Sequence, residues 1–177
     1  MPAPVKITIL AIALPSAITC PMRILFLCLG NICRSPAAEA VTRHKARAAG
    51  LDIEFDSAGT GDWHVGEPPY GPMIEAAEAR GYDMRSLRAR QIAPADYDAF
   101  DVILAMDENN LRNALDVAPR QMSAQVQMFI DGPNGPQNVP DPYYTRDFEA
   151  ALDLIEAGAE ALVADLLADE EEKRRGS

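Results

Sequence analysis

From Arg23 to Leu27 the chain reads Arg-Ile-Leu-Phe-Leu, a short unbroken apolar run of the kind that forms a strand buried on both faces. After Gly30 the pattern changes to an Ala-rich stretch, Pro36 to Ala49, closed by Gly50, which predicts a helix. Pro36 suits its first turn, where a missing N–H costs nothing, and Gly50 suits its end. Ile53 to Ser57 predicts a second strand, and Ser57-Ala-Gly-Thr-Gly-Asp62 carries the residues of a loop. A second helix fits Pro72 to Arg80, closed by Gly81. Phe100 to Met106 is a further buried strand, followed by a short helix from Asp107 to Leu115 with Asp107 at its cap. Gln125 to Ile130 is the fourth strand. The Pro-, Gly- and Asn-rich segment from Asp131 to Tyr144 reads as a loop, and Asp147 to Leu167 is a strongly periodic final helix.

Strands alternating with helices imply an α/β fold: one three-layer domain with a four-stranded parallel sheet and helices on both faces. In such folds ligands bind beyond the carboxyl ends of the strands, and the first strand ends at Cys28. The domain is expected to span residues 22–168. A loosely ordered leader, 1–21, precedes it, and a solvated, frayed charge run, 169–177, follows. No internal repeat or interdomain linker is visible.

Composition narrows the chemistry. The 177 residues are 48% apolar and 24% charged, enough for one core without metals or disulfides. A formal charge of -11 argues against a nucleic-acid binder, because phosphate-backbone affinity needs clustered Lys and Arg. Any phosphate site must therefore be local. Three cysteines, two of them in one short loop, do not form a secreted disulfide framework and point to a reducing, cytoplasmic setting. Ile7 to Leu14 superficially resembles a signal peptide, but its basic region is a single Lys and the run is too short to span a bilayer. Neither a membrane anchor nor a role for Cys20 is expected.

Candidate chemistry concentrates in Cys28-Leu29-Gly30-Asn31-Ile32-Cys33-Arg34-Ser35. A phosphate monoester needs several donors, which a strand-loop-helix unit supplies as backbone N–H groups at a helix N-terminus. Five residues between Cys28 and Arg34 let the chain curl once around an anion, with the sulfur facing phosphorus and the guanidinium taking two oxygens. The same donors stabilise thiolate over thiol, so Cys28 is the candidate nucleophile. Gly30 and Asn31 tolerate positive φ, and Ser35 can donate to the sulfur.

The segment Cys28 to Pro36 resembles the signature of the low-molecular-weight protein tyrosine phosphatases. Asp56-Ser-Ala-Gly-Thr60, Trp63, Gly66-Glu-Pro-Pro69, Ala89-Arg-Gln-Ile92, Ala105-Met-Asp-Glu-Asn109 and Val139-Pro-Asp-Pro-Tyr-Tyr144 are similar to family segments in the family order. The resemblance implies a cofactor-free, metal-free phosphoric monoester hydrolase acting on phosphotyrosyl proteins through a phosphocysteine. In it Cys28 is the nucleophile, Arg34 the phosphate clamp and Asp141 the general acid and base. Residues 29–33, Ser35 and Ser57 bind phosphate or hold the loop, and Trp63, Tyr143 and Tyr144 wall the pocket. Asp107 either orients the site or caps a helix. Cys33 is either a disulfide partner for Cys28 under oxidation or a small buried residue. Two departures stand out: Tyr70 replaces an acidic residue after Pro-Pro, and Arg80 stands where vertebrate members carry a His linked to the loop-holding Asn.

Other readings are weaker. An arsenate reductase of the thioredoxin-coupled kind needs two further downstream cysteines, absent after Cys33, although counting leaves open a variant using external thiols. Arginine phosphatases resemble this loop but carry Thr where Ile32 stands, and an apolar Ile suits an aryl ester better. A silent phosphotyrosine-binding module would have no need of Cys28, Arg34 and Asp141 together. Only His44 and His64 are present, without ligand spacing for a metal, and no Walker segment exists. Family analogy adds a tyrosine autokinase as a candidate partner, with the chain a monomer or weak homodimer.

Overall fold

Two faces of apolar side chains on β1 (Met22–Cys28) organise the molecule. In the computed structural model, which describes residues 20–176, Ile24, Phe26 and Cys28 enter one core while Leu25 and Leu27 enter the other. A strand buried on both sides must be apolar throughout, which is why its sequence shows no alternation. Around it lie β2 (Ile53–Gly59), β3 (Val102–Ala105) and β4 (Gln125–Met128), all parallel, in the order β2-β1-β3-β4.

The larger core is covered by α1 (Arg34–Ala48), α2 (Gly71–Ala79) and α6 (Phe148–Arg175), the smaller by α3 (Asp96–Ala99) and α4 (Glu108–Asp116). Phe129 sits edge-on to Phe26, with centroids 5.4 Å apart, and packs against Gly158 of α6, where a Cβ would come within 2.7 Å of its ring. The long helix thus rides close over the sheet because it lacks a side chain there. α1 ends as its sequence predicts: Gly50 takes φ 76°, and Leu51 N–H returns to the Ala46 carbonyl at 3.0 Å.

Two expectations need correction, and one element was not anticipated. The segment 131–144 is not all loop: β5 (Ile130–Gly132) and β6 (Gly135–Gln137) form an antiparallel hairpin, and α5 (Pro142–Thr145) is one helical turn. The Pro133-Asn134-Gly135 turn, with Gly135 at φ 98°, is what reverses the chain. The charge run from Asp169 is helical as far as Arg175, because its Glu residues precede basic ones by one turn. Glu170 pairs with Arg174 at 3.7 Å and Glu171 with Arg175 at 3.6 Å, and the basic residues complement the helix dipole. The unanticipated element is α3, a single turn whose Asp96 accepts from Ala93 N–H at 2.7 Å and which is too short to show a period. The signal-like run 7–14 lies outside the described residues; among the described residues no helix is long and apolar enough to cross a membrane.

Candidate active site

In the order β2-β1-β3-β4 the strand order reverses between β1 and β3, so the loop after Cys28 opens into the crevice, beyond the carboxyl ends of those strands, that such sheets use for ligands. Residues 28–33 carry the chain from β1 to the N-terminus of α1, whose first residues are Arg34 and Ser35. Asn31 alone in the loop takes the left-handed conformation, φ 55°; Gly30, expected to share it, does not. An αL turn at Asn31 points its backbone N–H at the Cys28 sulfur, 3.3 Å away, and the Ser35 hydroxyl lies 2.9 Å from the same atom.

Asn31 is held on every polar atom of its side chain. Its Nδ2 donates to Ser35 Oγ at 2.8 Å and Ser57 Oγ at 3.0 Å, and its Oδ1 accepts from the Arg90 backbone N–H at 2.9 Å. Ser57 thus lies where the resemblance placed it. Arg80 does not support Asn31: it caps α2 and bonds to Glu149, Asp153 and Glu156 of α6, the last two at 2.9 Å. Arg90 was not foreseen, nor was Gly59, whose N–H donates to the Arg90 carbonyl at 2.8 Å. A Cβ on Gly59 would meet the Leu29 carbonyl oxygen at 2.7 Å, Gly30 C at 3.1 Å and Asn31 N at 3.2 Å, all backbone atoms that cannot step aside separately. Gly59→Ala is therefore expected to displace the loop and lower kcat/KM by about 10²-fold, the cost of misplacing reacting groups by about an ångström. Steady-state kinetics alongside a melting curve check this, an unchanged rate showing that the loop tolerates the shift.

Arg34 is buried at the centre of the site. Its Nη1 donates to Asp107 Oδ2 at 2.6 Å and to the Val139 carbonyl at 3.1 Å, and its Nη2 to Asp141 Oδ2 at 3.2 Å. Burial works to lower its pKa, but the charge at Cys28, the Asp107 hydrogen bond and the charge of Asp141 outweigh it and hold the value above normal, so the guanidinium is cationic. Asp107 fills both roles considered for it: Oδ1 accepts from Asn110 N–H at 2.7 Å and caps α4. Asp141 caps α5, accepting from Tyr143 N–H at 3.1 Å. Cys33 is a free thiol, pushed far above its ordinary pKa by burial and then by the charges at Cys28 and Asp141, and is therefore protonated.

Cys28, Leu29, Gly30, Ile32, Cys33 and Arg34 form the floor of a cavity of about 280 Å³, with Asp141, Trp63, His64, Tyr143 and Tyr144 as its walls. Trp63 and Tyr144 are both about 70% exposed, poor packing positions but good ones for an aromatic guest. Tyr70 joins the rim: its ring lies 5.4 Å from that of Tyr143, and Arg146 spans both rings while donating to Tyr70 Oη at 2.6 Å. His64, given no site role from the sequence, bonds to Glu67 through Nδ1 at 2.7 Å. Among the described residues no group of three or more His, Cys, Asp and Glu could hold a metal ion.

Cys28, the buried Arg34 guanidinium and the Asp141 carboxylate share one cavity at the carboxyl end of a parallel sheet, a fold and site of the phosphoric monoester hydrolase class. The chain belongs to the family described as low molecular weight phosphotyrosine protein phosphatase, whose model matches residues 23–173. It is 41% identical over 147 residues to the low molecular weight protein-tyrosine-phosphatase YfkJ of Bacillus subtilis, a match covering 81% of this chain and 94% of that one. It is 44% identical over 128 residues to the low molecular weight phosphotyrosine protein phosphatase of Schizosaccharomyces pombe, covering 70% and 81%. The crystal structure of YfkJ superposes with a TM-score of 0.78 at 38% identity, over 85% of this chain and 97% of that one. The protein is thus a hydrolase of a family with phosphoprotein substrates.

Proposed function

We propose that residues 22–168 hydrolyse phosphotyrosine in proteins through a phosphocysteine intermediate. The observation that carries this is the convergence on one cavity of the Cys28 sulfur, facing two donors, with the Arg34 guanidinium and the Asp141 carboxylate. The thiolate attacks phosphorus as the aryl P–O bond breaks, and Asp141 gives its proton to the departing aryloxide. Asp141 then takes a proton from water, water oxygen bonds to phosphorus, the P–S bond breaks and inorganic phosphate leaves. Arg34 and the loop N–H groups hold the equatorial oxygens throughout, while Ser35 stabilises the leaving thiolate. Trp63, Tyr143 and Tyr144 sandwich the ring, and Ile32 on the floor favours an aryl over a guanidino leaving group. Tyr70 and Arg146 meet the residues flanking it. A thiolate nucleophile needs a reducing compartment, which supports cytoplasmic action on phosphotyrosyl proteins such as a tyrosine autokinase.

Acid quenching during turnover of a radiolabelled phosphotyrosine peptide tests the reading. Label is expected on the tryptic peptide spanning residues 24–34. Glycerol and water should partition the phosphoryl group in one ratio whatever the leaving group. Label on another peptide, or a ratio that changes with the leaving group, removes the shared intermediate. Phosphoarginine peptides turned over faster than phosphotyrosine peptides would overturn the aryl preference.

A further inference from the structure

Behind the loop, in the second turn of α1, the Glu39 carboxyl is buried; burial pushes its pKa up, against the Ser57 hydrogen bond and the Arg43 charge, and helices avoid such burial unless each oxygen finds a donor. Both do. Oε2 accepts from the Ser57 hydroxyl at 2.6 Å, and Oε1 accepts from the Arg43 guanidinium one turn along, which also donates to the Phe55 carbonyl at 2.8 Å. A buried charge so placed touches neither the cavity nor the surface, and the mechanism above gives it no step.

The direction of each hydrogen bond shows what it does. Ser57 has one proton, and the carboxylate claims it, so a Ser57 lone pair is left facing Asn31 Nδ2 at 3.0 Å. Asn31 cannot turn its amide over, because Oδ1 is committed to the Arg90 N–H. Its second Nδ2 proton goes to Ser35 Oγ, whose own proton lies between the sulfur at 2.9 Å and the Ala58 carbonyl at 3.2 Å, and the Asn31 backbone N–H goes to the sulfur itself. We infer that Glu39 is a positioning residue for Cys28: through Ser57 it locks Asn31 in its left-handed turn and so keeps two donors aimed at the thiolate. The inference rests on Cys28 being the nucleophile.

A competing effect has the opposite sign. A negative charge near the sulfur, taken as a field alone, disfavours the thiolate, and removing it would favour the thiolate. Arg43, paired directly with Glu39, cancels most of that field, so positioning dominates.

The rate at which iodoacetamide inactivates the enzyme, followed against pH, reads the thiolate without turnover. Glu39→Gln removes the charge and keeps one acceptor oxygen where two are needed, so either Ser57 or Arg43 is left facing an amide N–H, and Glu39→Asp keeps the charge but withdraws it from Ser57. Ser57→Ala deletes the link and leaves Glu39 and Arg43 in place. All three are expected to slow inactivation at mildly acidic pH by about three- to tenfold, the net value of one ordinary hydrogen bond, and to move the midpoint upward. Faster inactivation of Glu39→Gln with Glu39→Asp and Ser57→Ala like the parent would establish a field effect and overturn the inference. Unchanged midpoints in all three would overturn it as well. If Glu39→Gln loses the near-ultraviolet dichroism of the folded chain, Ser57→Ala carries the test alone. Loss of the nucleophile reading would appear separately, as turnover surviving in Cys28→Ser.

Discussion

Cys28→Ser is expected to lower aryl phosphatase activity by at least about 10⁴-fold, some 5.4 kcal/mol of barrier at 1.36 kcal/mol per decade, while leaving the fold intact. A hydroxyl becomes a useful nucleophile only when a neighbouring base takes its proton. Around position 28 the loop supplies donors instead, the Asn31 N–H and the Ser35 hydroxyl, with the Arg34 charge close by. These stabilise an anion that a thiol can form and a serine cannot. The same donors satisfy a buried serine oxygen, so stability should change by less than about 1 kcal/mol. Initial rates with p-nitrophenyl phosphate, a melting curve and calorimetric titration with inorganic phosphate check the three parts. Activity within tenfold of the parent would remove Cys28 from the chemistry, and intact phosphate binding in a dead variant separates nucleophile from clamp.

How much of this site the sequence displays depends on how locally each part is encoded. The strand, loop and first helix from Met22 to Ala48 are contiguous, so the apolar run, Asn31, Pro36 and Gly50 could all be interpreted in place. The sheet followed from strand and helix alternation for the same reason. Arg34 and its carboxylates are different: Asp107 lies 73 residues away and Asp141 107, and no period or spacing connects them. From its own neighbourhood Asp107 was legible only as a cap; its place beside Arg34, like that of Asp141, was legible only through family resemblance. Glu39 sits in an Ala-rich helix where a Glu ordinarily signals solvent. Gly59 read as a loop residue after Ser57, yet it ends a strand and makes room for backbone. Two failures had signals that could have been used: Pro133-Asn134-Gly135 announces a hairpin, and the Glu-to-Arg spacing after Asp169 announces a helix.

Asp141→Asn should separate the two halves of the reaction. The variant keeps an oxygen to cap α5 at Tyr143 N–H but turns an amide N–H toward Arg34 Nη2, while Asp107 and the Val139 carbonyl still hold Arg34 Nη1. What it loses is the proton. In the first half, P–O cleavage then expels a bare aryloxide, at a cost that grows with the basicity of that oxygen. For a phosphotyrosine peptide or phenyl phosphate, kcat/KM should fall by about 10²- to 10⁴-fold, the usual range for a positioned acid. For 2,4-dinitrophenyl phosphate, whose leaving group needs little help, the fall should be much smaller. In the second half the variant lacks a base for water, and that deficit is the same for every ester. With the activated ester, therefore, kcat should drop although kcat/KM barely moves, and the phosphocysteine should accumulate to nearly one equivalent in the acid quench. An equal fall in kcat/KM for both leaving groups would take the acid role away from Asp141. Retained kcat with the dinitrophenyl ester would take away the base role, leaving a carboxylate whose work is to cap α5 and hold Arg34.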